Sequence, residues 1–212
     1  NMTAFTLEAL VNPAAKKNNS ILSTIMGIEG KFLVRLGDDY LSWNQIQVVW
    51  DSGSYDYYGR PVEGKLSNIN MTINANEWSH IAVTFGEKTI KVYVNGVEKG
   101  SSTTNVPSSV NFGIAHNDEQ GTRITRCFWV GYSYEHARYF PGMMSELRIW
   151  NRVLTADELA NATRRYGVDP KSEGLVTYWK CDEGQGDVIK DHTSYRNDLA
   201  SDGLKWEPVS LP

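Results

Sequence analysis

The segment from Asp51 to Arg60, DSGSYDYYGR, carries Tyr55, Tyr57 and Tyr58 followed by Arg60, with Trp43 and Trp50 just before it. Sugar rings present flat C–H faces that stack on aromatic rings, and their hydroxyls need paired donors and acceptors such as Asp, Asn and Arg. The segment holds both kinds of group, so Tyr55, Tyr57, Tyr58, Arg60 and Trp43 form a candidate saccharide platform. Tyrosines in a long connection also serve simply to cover the edge of a folded domain, and that alternative stays open here. A second aromatic set, Trp129, Tyr132, Tyr134, His136, Arg138 and Tyr139, surrounds the turn after RCFWVGY. Aromatics at alternating positions mostly pack sheet faces, which leaves Tyr134, His136 and Arg138, in the expected turn, as candidate ligand contacts.

Near the C-terminus lies an acidic cluster: Asp182, Glu183, Asp187, Asp191, Asn197 and Asp198. Ca²⁺ takes about six to eight oxygen ligands, and loop carboxylates with backbone carbonyls supply them. Asp191, Asp182, Asn197 and Asp198 are therefore candidate ligands for a structural Ca²⁺, with Asp191 foremost. The alternative is a set of solvated turns, and no EF-hand spacing is present. Catalytic residues do not emerge. Glycosidases on jelly rolls carry carboxylates at two-residue spacing so that they share a strand face. No such strand occurs, and adjacent Asp182 and Glu183 would point to opposite faces of one. His80, His116, His136 and His192 are scattered without zinc spacing, and no G-x-S-x-G motif is present.

These residues must be positioned by strands. In WSHIAVTF, from Trp78, Ile81, Val83 and Phe85 share one face while His80, Ala82 and Thr84 share the other. Ile90, Val92 and Val94 continue the pattern, and Asn95-Gly96 supplies the positive-φ pair of a tight hairpin that returns through Val97 to Lys99. Further strand-like runs are FTLEALV from Phe5, SILSTIMG from Ser20, KFLVRL from Lys31, QIQVVW from Gln45 and NINMTI from Asn68. RCFWVGY from Arg126, MSELRIW from Met144 and LVTYWKC from Leu175 complete the set. Many short strands separated by Gly, Asn, Asp and Pro predict an all-β, two-sheet antiparallel jelly-roll sandwich. One short helix is predicted from Ala156 to Arg165, with Thr155 and Glu158 at capping-box spacing and Gly167 as its stop.

Three blocks then resemble a known family in its own order: EWSHIAVTFGEKTIKVYVNGVEKG from Glu77, FPGMMSELRIWNRVLTADEL from Phe140, and GLVTYWKCDEGQGDVIKDHTSYRNDL from Gly174. They are similar to the laminin G-like, concanavalin A-like lectin/glucanase domains of bacterial exported proteins and cover about the last two thirds of the chain. The resemblance implies the jelly-roll fold, export to the cell surface or periplasm of a bacterium, and carbohydrate recognition. The chain departs from the family pattern at Cys181, where an aromatic is usual, at Ser145, where Asp is usual, and at Ser194 and Arg196, where glycines are usual. A metal site carried over from the family is put in question by those departures.

Bulk properties agree. Of the 212 residues, 41% are hydrophobic and 22% charged, the balance of a chain that buries a core. A formal charge of −4 and a pI near 5.6 provide no basic footprint for nucleic acid. No apolar run approaches the roughly 20 residues of a transmembrane helix. The chain opens at Asn1 without an initiator Met or a signal peptide, as a processed protein or part of a larger one does. Residues 1–212 read as one domain. Cys127 and Cys181 sit on separate predicted strands, either as a disulfide, if those strands are neighbours, or as two small buried side chains. The leading expectation is a non-catalytic carbohydrate-binding module of an exported glycan-capture or glycan-processing protein. A structural or protein-interaction domain, and a glycoside hydrolase or lyase on the same scaffold, are the alternatives.

Overall fold

The computed structural model describes residues 1–15, 22–113, 116–117, 123–124, 128–132, 138–201 and 203–212. In chain order its strands are β1 (Ala4–Pro13), β2 (Ser23–Ile28), β3 (Phe32–Asp38), β4 (Leu41–Tyr55), β5 (Pro61–Leu66), β6 (Ser79–Gly86), β7 (Thr89–Val94) and β8 (Val97–Ser102). There follow β9 (His116–Asn117), β10 (Arg123–Ile124), β11 (Trp129–Val130), β12 (Gly142–Trp150), β13 (Leu175–Trp179), β14 (Val188–Ile189) and β15 (Leu199–Ala200). A six-stranded sheet runs β13-β12-β1-β6-β7-β8 and a five-stranded sheet β11-β2-β3-β4-β5, with all pairs antiparallel. The predicted two-sheet sandwich is the observed fold. No helix among the described residues is long and apolar enough to cross a membrane.

Period-two alternation decides which side chains meet between the sheets. Phe5 and Leu7 of β1 and Ile81, Val83 and Phe85 of β6 face Phe32, Val34 and Leu36 of β3 and Ile46, Val48 and Trp50 of β4. Phe5 stacks on Phe85 and meets Phe32 edge-on, both at 4.9 Å between ring centroids. Each such buried side chain contributes about 1.5–3 kcal/mol relative to exposure. Gly64 of β5 lies opposite Trp50, where an added Cβ would sit 2.1 Å from the indole, so the large ring requires the missing side chain.

The other face of the six-stranded sheet is buried as well, because the helical segment after β12 lies over it. Thr155 caps α1 (Ala156–Ala160) in a reciprocal box with Glu158, as its spacing predicts. The helix is shorter than the predicted Ala156–Arg165. Asn161 adopts extended dihedrals (φ −66°, ψ 106°), its side chain accepts from the Thr163 N–H, and the chain continues as a 3₁₀ turn, Ala162–Tyr166. Asx capping offered the backbone a local alternative to helix. Beneath this segment Glu8 is buried with His80 (3.0 Å), the Trp150 Nε1–H (2.5 Å) and Arg148 (3.7 Å). Arg148 also pairs with Glu146 and donates to the Arg164 carbonyl at 2.9 Å, tying the segment to the sheet. Burial would raise the Glu8 pKa, but the hydrogen bond and charge of His80 with Arg148 and Arg164 outweigh it and hold the carboxyl at about 2.

Two further strand expectations shift. β4 is longer than QIQVVW at both ends, reaching Tyr55. NINMTI forms no strand: Met71 and Ile73 are buried, and only a Gln45–Thr72 bridge with the bonds Ile46 N–H to Met71 O and Ile73 N–H to Asn44 O joins it to β4. Of RCFWVGY, Trp129 and Val130 are strand, while Arg126 and Cys127 lie outside the described residues. Cys181 carries a free thiol, whose pKa burial pushes up to about 12.

Candidate functional site

The tyrosine segment is the tip of the β4–β5 hairpin. Ser54 pairs with Val62 and Tyr55 with Pro61, so the turn proper is Asp56 to Arg60. Asp56 builds it. Its Oδ1 accepts from the Tyr58 and Arg60 N–H groups, both at 2.9 Å, and its Oδ2 takes the Arg60 Nε at 2.8 Å and Nη2 at 2.7 Å. The Arg60 backbone and side chain hold the Asp56 carboxyl below its usual range. Gly59 supplies the left-handed φ of +74° that closes the turn.

This small frame fixes the aromatic rings in solvent. Tyr55, Tyr57 and Tyr58 are 70%, 95% and 76% exposed, so they do not cover the sandwich edge. Tyr57 and Tyr58 meet at 86° with centroids 5.3 Å apart, and the Arg60 guanidinium lies 5.2 Å from the Tyr58 ring centre. The arrangement offers an aromatic face bordered by the Arg60 guanidinium. Trp43 does not join it. It is half-buried at the opposite end of β4, roughly 40 Å along the strand at about 3.3 Å per residue. Trp50 is a core residue whose Nε1–H donates to the Asn105 carbonyl at 2.9 Å.

Of the second aromatic set, Tyr134 and His136 lie outside the described residues. Arg138 pairs with Glu29 at 2.8 Å, and its carbonyl accepts from the Thr24 N–H beside β2. Trp129, Tyr132 and Tyr139 form a packed row, edge-on at 5.1 Å and then stacked at 4.6 Å, and Trp129 pairs with Gly27 on the face turned away from the core. That face holds polar residues that sequence reasoning missed. Arg35, buried, donates to Gln47 at 2.6 Å and 2.9 Å and to Asp38 at 3.0 Å. A lone Arg inside the apolar run KFLVRL was the available signal.

The acidic loop is organised differently from the expected ligand set. Asp191 is buried, and both oxygens are spent: Oδ1 accepts from the Tyr178 and Thr193 N–H groups at 2.9 Å, Oδ2 from the Asn197 N–H and the Thr193 hydroxyl, also at 2.9 Å. Asp198 accepts from the Asp191 N–H at 2.8 Å, and the Asn197 carbonyl takes the Trp179 Nε1–H at 2.7 Å. Asp191, Asn197 and Asp198 thus hold the loop together. Of the four expected ligands, Asp182 belongs to a group that could hold a metal ion: its ligating atom and those of Glu183 and His192 lie within 4.8 Å of one another. His192 was not among the expected ligands, because its partners come together only when β13 and the following loop fold back.

A family profile described as Concanavalin A-like lectin/glucanases superfamily matches residues 1–160. A Bacteroides ovatus protein described as a candidate carbohydrate-binding protein is similar over all of this chain at 27% identity and a TM-score of 0.72, and the match covers 55% of that protein. The SAP-like pentraxin of Limulus polyphemus shares the fold, with 15% identity, a TM-score of 0.53, and coverage of 95% of this chain and 81% of that one. The chain thus spans about half the length of the Bacteroides protein. No curated protein matches the sequence.

Proposed function

Because the chain belongs to the concanavalin A-like lectin/glucanases superfamily, we propose that it is a non-catalytic carbohydrate-binding module of an exported bacterial glycan-capture or glycan-processing protein. The observation that carries this reading is the pair of rings at Tyr57 and Tyr58, held in solvent by the Asp56–Arg60 frame. Exposed aromatic rings gain free energy by covering an apolar face, which a sugar's C–H face supplies, and the outer N–H groups of the adjacent Arg60 guanidinium donate to its hydroxyls. The description of the Bacteroides protein supports the same class of ligand. Two of this chain's carboxylates are unavailable for catalysis. Glu8 and Glu146 are locked on Arg148 beneath the helical segment, out of reach of a substrate.

A glycan array tests the reading. Binding to a saccharide that falls at least tenfold in Tyr57→Ala and Tyr58→Ala, with the melting temperature unchanged, supports it. Retention of full affinity in both variants would move the site elsewhere. A failure to bind any saccharide would favour a structural or protein-interaction module, for which the same rings would meet a protein.

The reading includes a structural divalent cation on Asp182, Glu183 and His192. Ca²⁺ prefers oxygen ligands alone, whereas the imidazole suits Zn²⁺. A melting-temperature rise with Ca²⁺ that is lost in Asp182→Asn supports the calcium form, and a rise with Zn²⁺ only reassigns the metal. No shift with either ion would end the cation proposal.

A further inference from the structure

Both cations of the β4–β5 hairpin, and Lys31 at its base, are matched by carboxylates. At the tip, Asp56 Oδ2 takes the Arg60 Nε at 2.8 Å and Nη2 at 2.7 Å. At the base, Lys31 meets Asp51 at 3.0 Å, and Lys65 lies 3.6 Å from Asp38 and 4.0 Å from Glu63. The segment from Asp51 to Lys65 holds three carboxylates and two cations, and Lys31 is the cation that evens the balance. Glu63, exposed, sits opposite Asp51 in the ladder, so the two strands that carry the tyrosines also carry facing carboxylates.

An anionic sugar approaching the rings therefore meets no net positive charge. Its carboxylate or sulfate would have to give up hydration, and Asp56 repels it from the same guanidinium that would attract it. A neutral saccharide faces neither cost. The Arg60 N–H groups that Asp56 leaves unused donate to hydroxyls, which accept without carrying charge, and the Tyr57 ring, 95% exposed, lies open to a C–H face.

Asp56 acts here through other groups. Its Oδ1 is occupied by the Tyr58 and Arg60 N–H groups and its Oδ2 by the guanidinium, so one carboxylate both shapes the turn and cancels its charge. Asparagine at this position separates the two roles. Its amide oxygen accepts the same two backbone bonds, while the positive charge of Arg60 is left without a counter-ion.

Resting on the tyrosine-hairpin site proposed above, we infer that the ligand of this hairpin is an uncharged saccharide and that Asp56 is the positioning residue that sets this preference.

The test is a glycan array that pairs each neutral saccharide with its sulfated or uronic-acid counterpart, followed by calorimetry on the strongest pair at low and high salt. Wild-type binding that is lost in Tyr57→Ala and Tyr58→Ala should be confined to neutral members and should not change with salt, because no net charge is screened. Asp56→Asn should raise the ratio of acidic to neutral affinity about threefold at low salt, the scale of an exposed charge pair. Asp56→Asn combined with Arg60→Gln should return that ratio to the wild-type value. Tyrosine-dependent binding that favours the acidic members, or that falls steeply with salt, would leave the hairpin as the site and overturn the inference; this readout needs only the wild-type frame. An unchanged ratio in Asp56→Asn would remove Asp56 from the selection of charge. Saccharide binding that survives both tyrosine substitutions would overturn the hairpin reading, and this inference with it.

Discussion

A carboxylate in a loop is a metal ligand only if its lone pairs are free, and Asp191 shows how that condition escapes a sequence. Its residue type and acidic company suit Ca²⁺, but the fold directs four donors onto its two oxygens. The consequence is a stability role. Asp191→Ala leaves three buried or half-buried backbone N–H groups without acceptors and is expected to cost about 3 kcal/mol, measured by urea denaturation. The tyrosines at the hairpin tip present the opposite case. Their spacing announced a possible platform, and their exposure, which depends on where β4 ends, excludes a covering role for them. Arg35 and Glu8 alternate with core-facing residues on their strands, and both are nonetheless buried on the far faces of their sheets.

At the scale of elements, the hairpin between β7 and β8 was readable because Asn95-Gly96 has one good conformation. The structure places both residues at positive φ, +50° and +79°. Less visible was the second demand on Gly96. An added Cβ would lie 2.5 Å from the Leu159 carbonyl oxygen at the end of α1, so the turn also seats the helix. Gly96→Ala is expected to lower stability by about 2 kcal/mol or more, from the left-handed backbone and the clash together, read as a lower denaturation midpoint. The sequence understated β4 and overstated the helix for related reasons. Glycine and serine in DSGSY read as turn formers, yet pairing with β5 across a bulge carries the strand through them. Helix formers after Asn161 lost to a side-chain cap.

For the molecule as a whole, the buried charges beneath the helical segment couple folding to pH. The Glu8 carboxyl is held at about 2 by His80, Arg148 and Arg164 against the effect of its burial. Glu158 is held at about 2 chiefly by the Arg152 side chain, with a smaller opposing effect of burial. Both folded pKa values lie below the ordinary 4.5, so the stabilisation is fully present above that value and is lost as pH falls toward 2. Denaturation midpoints should be flat from pH 7 to about 5 and drop steeply between about 4.5 and about 2. Glu8→Gln should lower the midpoint at pH 7 and make the acid limb shallower. An equally steep limb in that variant would mean that Glu8 is not a source of the acid sensitivity. The same network joins β1, β6, β12 and the helical segment, so loosening it is expected to release that segment first, visible as faster amide exchange at Leu159.

The alternation of apolar residues, the Asn95-Gly96 turn and the Thr155–Glu158 box were local statements, and local chemistry was enough to determine a two-sheet antiparallel sandwich with a capped helix. Only the tertiary structure decided which polar groups are spent and which are free. Asp191 met its donors from β13 and its own loop, Glu8 met His80 72 residues away, and Trp43 parted from Tyr57 along a single strand. Lys171 and the loop from Lys190 to Asp198 came to one groove from two separate stretches of sequence. The physical reason is that alternation tells a strand which face is apolar. It says nothing of what will cover the other face, and that covering layer sets solvation, pairing and access for every polar side chain beneath it.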